Sequence, residues 1–453
     1  MLNKTRIDAY AAKKQALQKQ VDAILKTGNK LALGKKTSNL FRNRKVNGPR
    51  LDVSGFNQVI SVDPETMIAE VEGMATYETI VAETLKYGCL PTVVPELKSI
   101  TIGGALTGVA IESSSFRYGL VHETILEFEA LLGEGRIVNC SPDNQHADLF
   151  YAFPNTYGSL GYALKVKVKL IPVKKYVKLT HLHFTDPKLY FKTLAELSAK
   201  HRMNGPVSYI DGVVFSKNDL HITLGEFVDS APTVSDYKFM KIYYRSIKQR
   251  DTDYLTASDY IWRWDTDWFW CSKNFALQNP VMRFLFGKFL LKSTRYWQMM
   301  KIARNNSIIK WLLNTFGKRT EAVIQDVELP VENCEAFHQF FQEEIGIKPV
   351  WVCPVQAYQS DVKYDFYYLK PDQLFINFGF WEAVPSQHPD GYFNKKIEVK
   401  VAALDGHKSL YSNVYYDEST FWKIYNKDLY LSLKYKYDPK QALKSLYQKV
   451  TER

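Results

Sequence analysis

The most regular pattern of apolar and polar positions lies at residues 164–170, where Leu164, Val166, Val168 and Leu170 alternate with Lys165, Lys167 and Lys169. A period of two sends alternate side chains to opposite faces of a pleated strand, so this stretch predicts a strand, closed by Pro172. The same period recurs at Leu126, Phe128 and Ala130, with Glu127 and Glu129 between them. Gly133-Glu134-Gly135 then turns the chain into Ile137 and Val138, which predicts a hairpin. Residues 59–62 and 68–72 predict two more strands, joined by an Asp63-Pro64-Glu65-Thr66 turn, and residues 31–33 and 50–53 predict short ones. A helical period appears at residues 8–26, where Tyr10, Leu17, Val21, Ile24 and Leu25 share a face that ends at Gly28. It returns at Tyr77, Ile80, Val81, Thr84 and Leu85, stopped by Gly88. From residue 176 to about 407 both periods mix, which predicts a second α+β domain.

Composition narrows the class. At 453 residues, 46% hydrophobic and 24% charged, the chain is globular and long enough for two or three domains. Its net charge of +11 favours an acidic partner such as a nucleic acid, an anionic membrane surface or a phosphorylated cofactor. The five cysteines have no CxxC spacing, which argues against a thiolate zinc site or a disulfide framework and fits a reducing compartment. The N-terminus has no apolar h-region, and no run of about 18 apolar residues occurs. The expectation is a cytoplasmic protein without signal peptide or transmembrane helix, peripheral on a membrane at most.

Residues 95–120, PELKSITIGGALTGVAIESSSFRYGL, carry the densest candidate chemistry. Gly103, Gly104, Gly108 and Gly119 permit close backbone approach, and Ser113, Ser114 and Ser115 add donors suited to phosphate. The spacing is neither GxGxxG nor a Walker A loop. Two readings follow: a segment wrapping a diphosphate-bearing cofactor, or a glycine-rich surface loop.

The order Pro-Glu-Leu, Ser-Ile-Thr-Ile-Gly-Gly, Gly-Val-Ala-Ile-Glu-Ser-Ser-Ser and Tyr-Gly-Leu resembles the FAD domain of the vanillyl-alcohol-oxidase / p-cresol-methylhydroxylase superfamily. Its Ile-Glu-Ser-Ser-Ser form is most similar to the delta-24-sterol reductases. The blocks at 148–152 and 158–161 extend this resemblance, which runs in register over residues 34–178. Residues 279–287 and 349–354 also resemble blocks of the sterol reductases, and residues 421–425 and 433–439 resemble the superfamily ending.

The resemblance implies an α+β fold: a two-part FAD-binding domain at 1–175, a substrate or cap domain at 176–407, and a segment at 408–453 that returns to the FAD-binding domain. It implies FAD contacts from Gly34, Lys35, Lys36, Thr37, Ser38 and Asn39, then from Pro95, Thr101, Gly103, Gly104, Thr107 and Gly108. Ser113, Ser114, Tyr118, Gly119, Gly158 and Gly161 complete that set. Thr37 matches the position where many members carry a flavin-bonded histidine, and no cysteine lies in residues 103–119, so the resemblance implies non-covalent FAD. The implied reaction is reduction of an isolated carbon–carbon double bond in a lipid, a sterol side chain or a methylene fatty acyl chain, with NADPH as electron donor. Such a bond needs a proton at one carbon as hydride reaches the other, which calls for a buried general acid. Glu112 is the candidate, with Tyr118, His122, Tyr415 and Tyr416 as alternatives. An alcohol or sugar oxidase is the rival of the same class. A non-catalytic protein binding membrane or nucleic acid is the rival of another.

Residues 271–320 hold ten lysines and arginines and no Asp or Glu, interleaved with Phe284, Phe289, Trp297 and Trp311. Trp262-Arg263-Trp264 and Trp268-Phe269-Trp270 lie just upstream. This composition suits an anionic membrane interface, and equally a core with a solvated basic face. Nucleic-acid binding is the weaker reading, because no recognised module accompanies the charge. His181 and His183 share a strand face without a placed third ligand, so no metal site is assigned.

Overall fold

The computed structural model describes residues 4–35, 41–42, 48–296, 298–299 and 319–452. Among them are two antiparallel sheets with helices packed on each, an α+β architecture.

The first sheet contains Val59–Asp63 (β1), Ile68–Glu72 (β2), Cys89–Pro91 (β3), Ile125–Leu131 (β4), Ile137–Cys140 (β5) and Tyr162–Pro172 (β6). Its order is β1-β2-β6-β4-β5, and β3 pairs with the end of β6. The alternation on β6 explains its central place. Val166 and Val168 are buried, while the lysine face meets glutamates on both neighbours: Lys167 lies opposite Glu70 on β2 and Glu127 on β4, and Lys165 opposite Glu72 and Glu129. Opposite charges directly across a ladder stabilise it and fix its register. The N-terminal helix, Lys4–Lys26, then covers that charged face. It buries Tyr10, Leu17, Val21 and Ile24, and pairs Lys13 with Glu72 (2.6 Å) and Lys14 with Glu129 (2.9 Å).

Two expected strands do not form ladders. Residues 31–33 and 50–53 meet only at a parallel bridge between Leu33 and Leu51. Beyond it the Asp52 N–H turns to the Gln20 side chain (2.8 Å), so the strand hydrogen bonds end there.

The second sheet contains Tyr176–Phe184 (β7), Val207–Ser216 (β8), Asp219–Val228 (β9), Thr252–Thr256 (β10), Thr320–Pro330 (β11), Val350–Val355 (β12), Phe375–Pro385 (β13) and His407–Lys408 (β14). Its order is β10-β7-β9-β8-β12-β13-β11-β14. Helices Pro187–Arg202, Cys334–Glu344 and Tyr392–Ala403 bury Leu194, Phe337, Phe341, Ile397 and Val401 in one core with Ile376 and Phe378 of the sheet. Trp351 and Cys353 instead join a core shared with the first sheet, which includes Tyr260, Trp264, Phe269 and Trp270.

The aromatic run therefore faces inward. Trp264, Trp268, Phe269, Trp270 and Arg263 are buried, and left-handed backbone at Trp268 and Phe269 turns them between the sheets. Of the two readings of this run, membrane interface or core, these residues take the core and the interface reading is corrected for them. Rings of this size each bury a large apolar area, and the room for them exists only between two sheets.

The C-terminal helices Glu418–Ile424, Lys427–Tyr437 and Leu446–Thr451 pack back on residues 148–159. Lys434 donates to the Ser159 carbonyl (2.8 Å), Tyr437 to Asp148 (2.6 Å) and Lys449 to the Gly158 carbonyl (2.7 Å).

Candidate functional site

The glycine segment is held against the first sheet. Thr101 caps the short helix Ile102–Thr107, its Oγ1 accepting the Gly104 N–H (3.3 Å). At Gly103 a Cβ would lie 2.7 Å from the Gly73 carbonyl oxygen and 3.3 Å from that of Ala163, so only hydrogen fits. Close packing, and not positive φ, requires this glycine. Gly119 does adopt positive φ (67°), and its turn is fixed by Glu123, which accepts the Leu120 N–H (2.8 Å).

A cavity of about 340 Å³ opens beside this segment, between the two sheets. Lys35, Pro95, Thr101, Gly103, Gly104, Thr107, Gly108, Gly158 and Gly161, all expected cofactor contacts, lie on its wall. Basic side chains join them: Lys35 donates to Thr101 (3.1 Å), and Arg42, Lys444 and Lys449 stand nearby on the same wall. Trp268, Phe269, Trp351, Trp381 and Tyr411 supply an aromatic portion. Small residues with cations suit a diphosphate, and flat rings suit an isoalloxazine, so the residues present fit FAD.

Other expected contacts lie off the wall. Gly34 donates its N–H to the Leu51 carbonyl (2.7 Å). Ser113 donates to Glu112 and Ser114 to the Thr92 carbonyl (2.8 Å), so these hydroxyls fix the loop from within. Tyr118 packs near Tyr358, and Gly119 forms the turn already described. Lys36, Thr37, Ser38 and Asn39 lie outside the described residues.

None of the five expected acids, Glu112, Tyr118, His122, Tyr415 and Tyr416, lines the cavity. His122 is buried against the Tyr364 ring, and burial pushes its pKa down to about 3. Tyr415 stacks over Gly391, its N–H bonded to Glu398, and Tyr416 is half-buried beside the same tail. Glu112 is buried one layer behind the wall, where it accepts from Arg263 (3.2 Å). Glu96, Asp326 and Tyr411 stand on the wall instead. Tyr411 donates to Asp326 (2.8 Å) and accepts from Trp381 (3.0 Å). Burial pushes the Asp326 carboxyl up to about 6. Glu96 sits inside the Pro-Glu-Leu motif, which was the signal for it. Asp326, Tyr411 and Trp381 carried none, since Asp326 and Trp381 come together through the pairing of β11 with β13, and Tyr411 follows β14, which pairs with the other edge of β11.

His181 and His183 also part company. His181 bonds Thr223 (2.9 Å), whereas His183 faces Asp219 and His221 on β9, and Lys248 holds the second oxygen of Asp219 (2.6 Å).

Residues 6–141 match the FAD binding domain family. Over 407 residues the chain is 25% identical to the Delta(24)-sterol reductase of Homo sapiens, covering 86% of this chain and 76% of that one. It is 23% identical over 437 residues to the Delta(24)-sterol reductase of Arabidopsis thaliana, covering 88% and 76%. The match to Cytokinin dehydrogenase 7 of Oryza sativa subsp. japonica is 29% over 163 residues, 36% of this chain and 30% of that one.

Proposed function

We propose that this FAD-dependent oxidoreductase, a homologue of the Delta(24)-sterol reductases with an FAD-binding domain of the vanillyl-alcohol-oxidase type, reduces an isolated carbon–carbon double bond in a lipid, with NADPH as electron donor. Bound FAD supplies hydride chemistry that side chains lack. Thr101, Gly104, Gly108 and Gly158 would hold its diphosphate beside Lys35 and Lys449. Trp268, Phe269, Trp351 and Trp381 exclude water from the reacting end, and a sterol side chain or methylene fatty acyl chain suits that apolar wall. The observation that carries the reading is the pairing of this apolar wall with acids on it, the buried Glu96 and the half-buried Tyr411–Asp326 pair. An unactivated double bond needs that combination, because hydride transfer without a proton leaves a carbanion. The test is anaerobic. Enzyme reduced by NADPH is mixed with a side-chain-unsaturated sterol or a methylene acyl lipid, and flavin absorbance is followed. Reoxidation by such a lipid is expected. Bleaching of the oxidised enzyme by alcohols or sugars, with no lipid response, would replace this reading with an oxidase.

An anionic membrane surface is proposed as the place where the substrate is met. Helix Pro280–Leu290 turns Arg283 and Gly287 inward and leaves Val281, Phe284, Leu285 and Phe289 exposed, with Phe289 at 74%. Lys288, Lys292 and Arg295 are exposed beside them. Apolar side chains flanked by cations are the chemistry of interfacial adsorption. Among the described residues no helix is long and apolar enough to cross a membrane.

A further inference from the structure

Two buried carboxyl groups meet where the cavity wall touches the core. Glu96 lines the cavity at 5% exposure, and Glu112 lies beside it at 1%. The Glu112 Oε1 is fully engaged, accepting from Ser113 and from Arg263 (3.2 Å). Arg263 is itself shared, since it also donates to Asp211 (2.9 Å), which accepts from Trp351 (3.1 Å) as well. What remains is Oε2 of Glu112 and Oε1 of Glu96, both buried and both without a hydrogen-bond donor. Two lone pairs left so in a dry site are costly, and one proton between the carboxyl groups satisfies both.

We propose that Glu96 and Glu112 hold a single proton between them and that Glu96 delivers it to the substrate double bond. The inference rests on the reductase reading for its substrate, but the shared proton itself does not. In the step, one alkene carbon would take the hydride that bound reduced FAD would supply, the other would form a C–H bond with the Glu96 proton, and the π bond would break. Glu96 is left as a carboxylate and regains its proton from solvent after product leaves. Glu112 is a positioning residue: it touches no substrate, and its negative charge keeps Glu96 protonated. Burial first, and the Glu112 charge next, hold the Glu96 carboxyl well above its ordinary range, against Arg263 acting the other way. The titratable and charged groups facing the pair are Arg263, the buried Cys353 thiol, the Tyr209 and Tyr260 hydroxyls, and Asp211 beyond Arg263.

The test compares Glu96→Gln, Glu112→Gln and Tyr411→Phe with wild type as loaded holoenzymes. Infrared difference spectra, wild type minus Glu96→Gln, should show a protonated-carboxyl band at neutral pH beyond those of Glu328 and Glu123, which both proteins share. In Glu112→Gln that band should titrate away at lower pH, because the like charge is gone. With the flavin reduced chemically beforehand in each protein, reoxidation by lipid should slow about 100-fold or more in Glu96→Gln. Absence of the band from the difference spectrum, or reoxidation of Glu96→Gln at the wild-type rate, overturns the proposal, and loss of reoxidation in Tyr411→Phe alone would move the acid to Tyr411. Should Glu96→Gln fail to fold, the part of the carboxyl band whose titration shifts between wild type and Glu112→Gln decides the matter, and no such shift overturns the proposal. If no lipid reoxidises wild type yet the band behaves as stated, the reductase reading fails and the shared proton stands.

Discussion

Arg283 donates from both terminal nitrogens to the two carboxylate oxygens of Asp267, at 2.6 and 2.8 Å, with both side chains almost wholly buried. This pair pins the inward face of helix Pro280–Leu290 and leaves the apolar face outward. It also removes Arg283 from the basic surface that composition suggested. Arg283→Leu strands the Asp267 charge in the core and should cost about 3–5 kcal/mol, read as a lower urea midpoint. A midpoint equal to wild type would mean the pair does not anchor the helix.

Because Arg283 is occupied, membrane adsorption should depend on the outward residues. Wild type should co-sediment with vesicles containing anionic lipid at low salt and be released at high salt. Each exposed cation contributes about 1 kcal/mol near such a surface, so changing Lys288, Lys292 and Arg295 together to Gln should weaken binding roughly 100-fold, with FAD retained. Phe284→Ser with Phe289→Ser should weaken what binding persists at high salt. Arg304, another cation of the stretch, lies outside the described residues. Wild type left in the supernatant at low salt would reduce the helix to a solvated surface feature.

Gly104→Val should give a folded but colourless protein. Its Cβ would come within 2.9 Å of Thr101 Oγ1 and 3.6 Å of Lys35 Nζ, and its branches would project into the cavity. Wild-type flavin should appear wholly in the supernatant after acid precipitation, as non-covalent FAD. Full flavin occupancy in the variant would displace the diphosphate from this wall.

Glu328 lies behind Asp326 on β11, accepts from Tyr367, and is pushed up to about 8, chiefly by burial. The folded state therefore holds a proton that the unfolded chain releases near 4.5. From this group, stability is greatest at low pH and is lost as pH rises from about 4.5 through about 8. Glu328→Gln keeps the neutral shape and should flatten that decline, gaining on wild type at pH 8.5 more than at pH 5. Chemical denaturation at the two pH values measures it, and an equal difference at both would contradict the assignment.

Local pattern made much of this protein legible. Alternation placed the strands of the first sheet other than the three-residue β3, because side chains on a pleated strand must choose a face within two residues. Glycine and serine spacing located the segment at 95–120, because close backbone approach demands small residues where it occurs. The glutamates and lysines of β2, β4 and β6 were visible as alternating charges, although their pairing across the ladder was not.

Burial and partnership belonged to the tertiary structure. A run such as Trp268-Phe269-Trp270 has one composition whether it meets lipid or core, and only the gap between two sheets sent it inward. Glu112 had the right chemistry for an acid, yet which carboxyl group reaches the cavity depends on Arg263 and Asp211, about 100 to 150 residues away in sequence. Glycine positions are written in short range, where covalent geometry acts. The protonation of Glu96 is written in long range, because a carboxyl group's charge is set by everything packed around it.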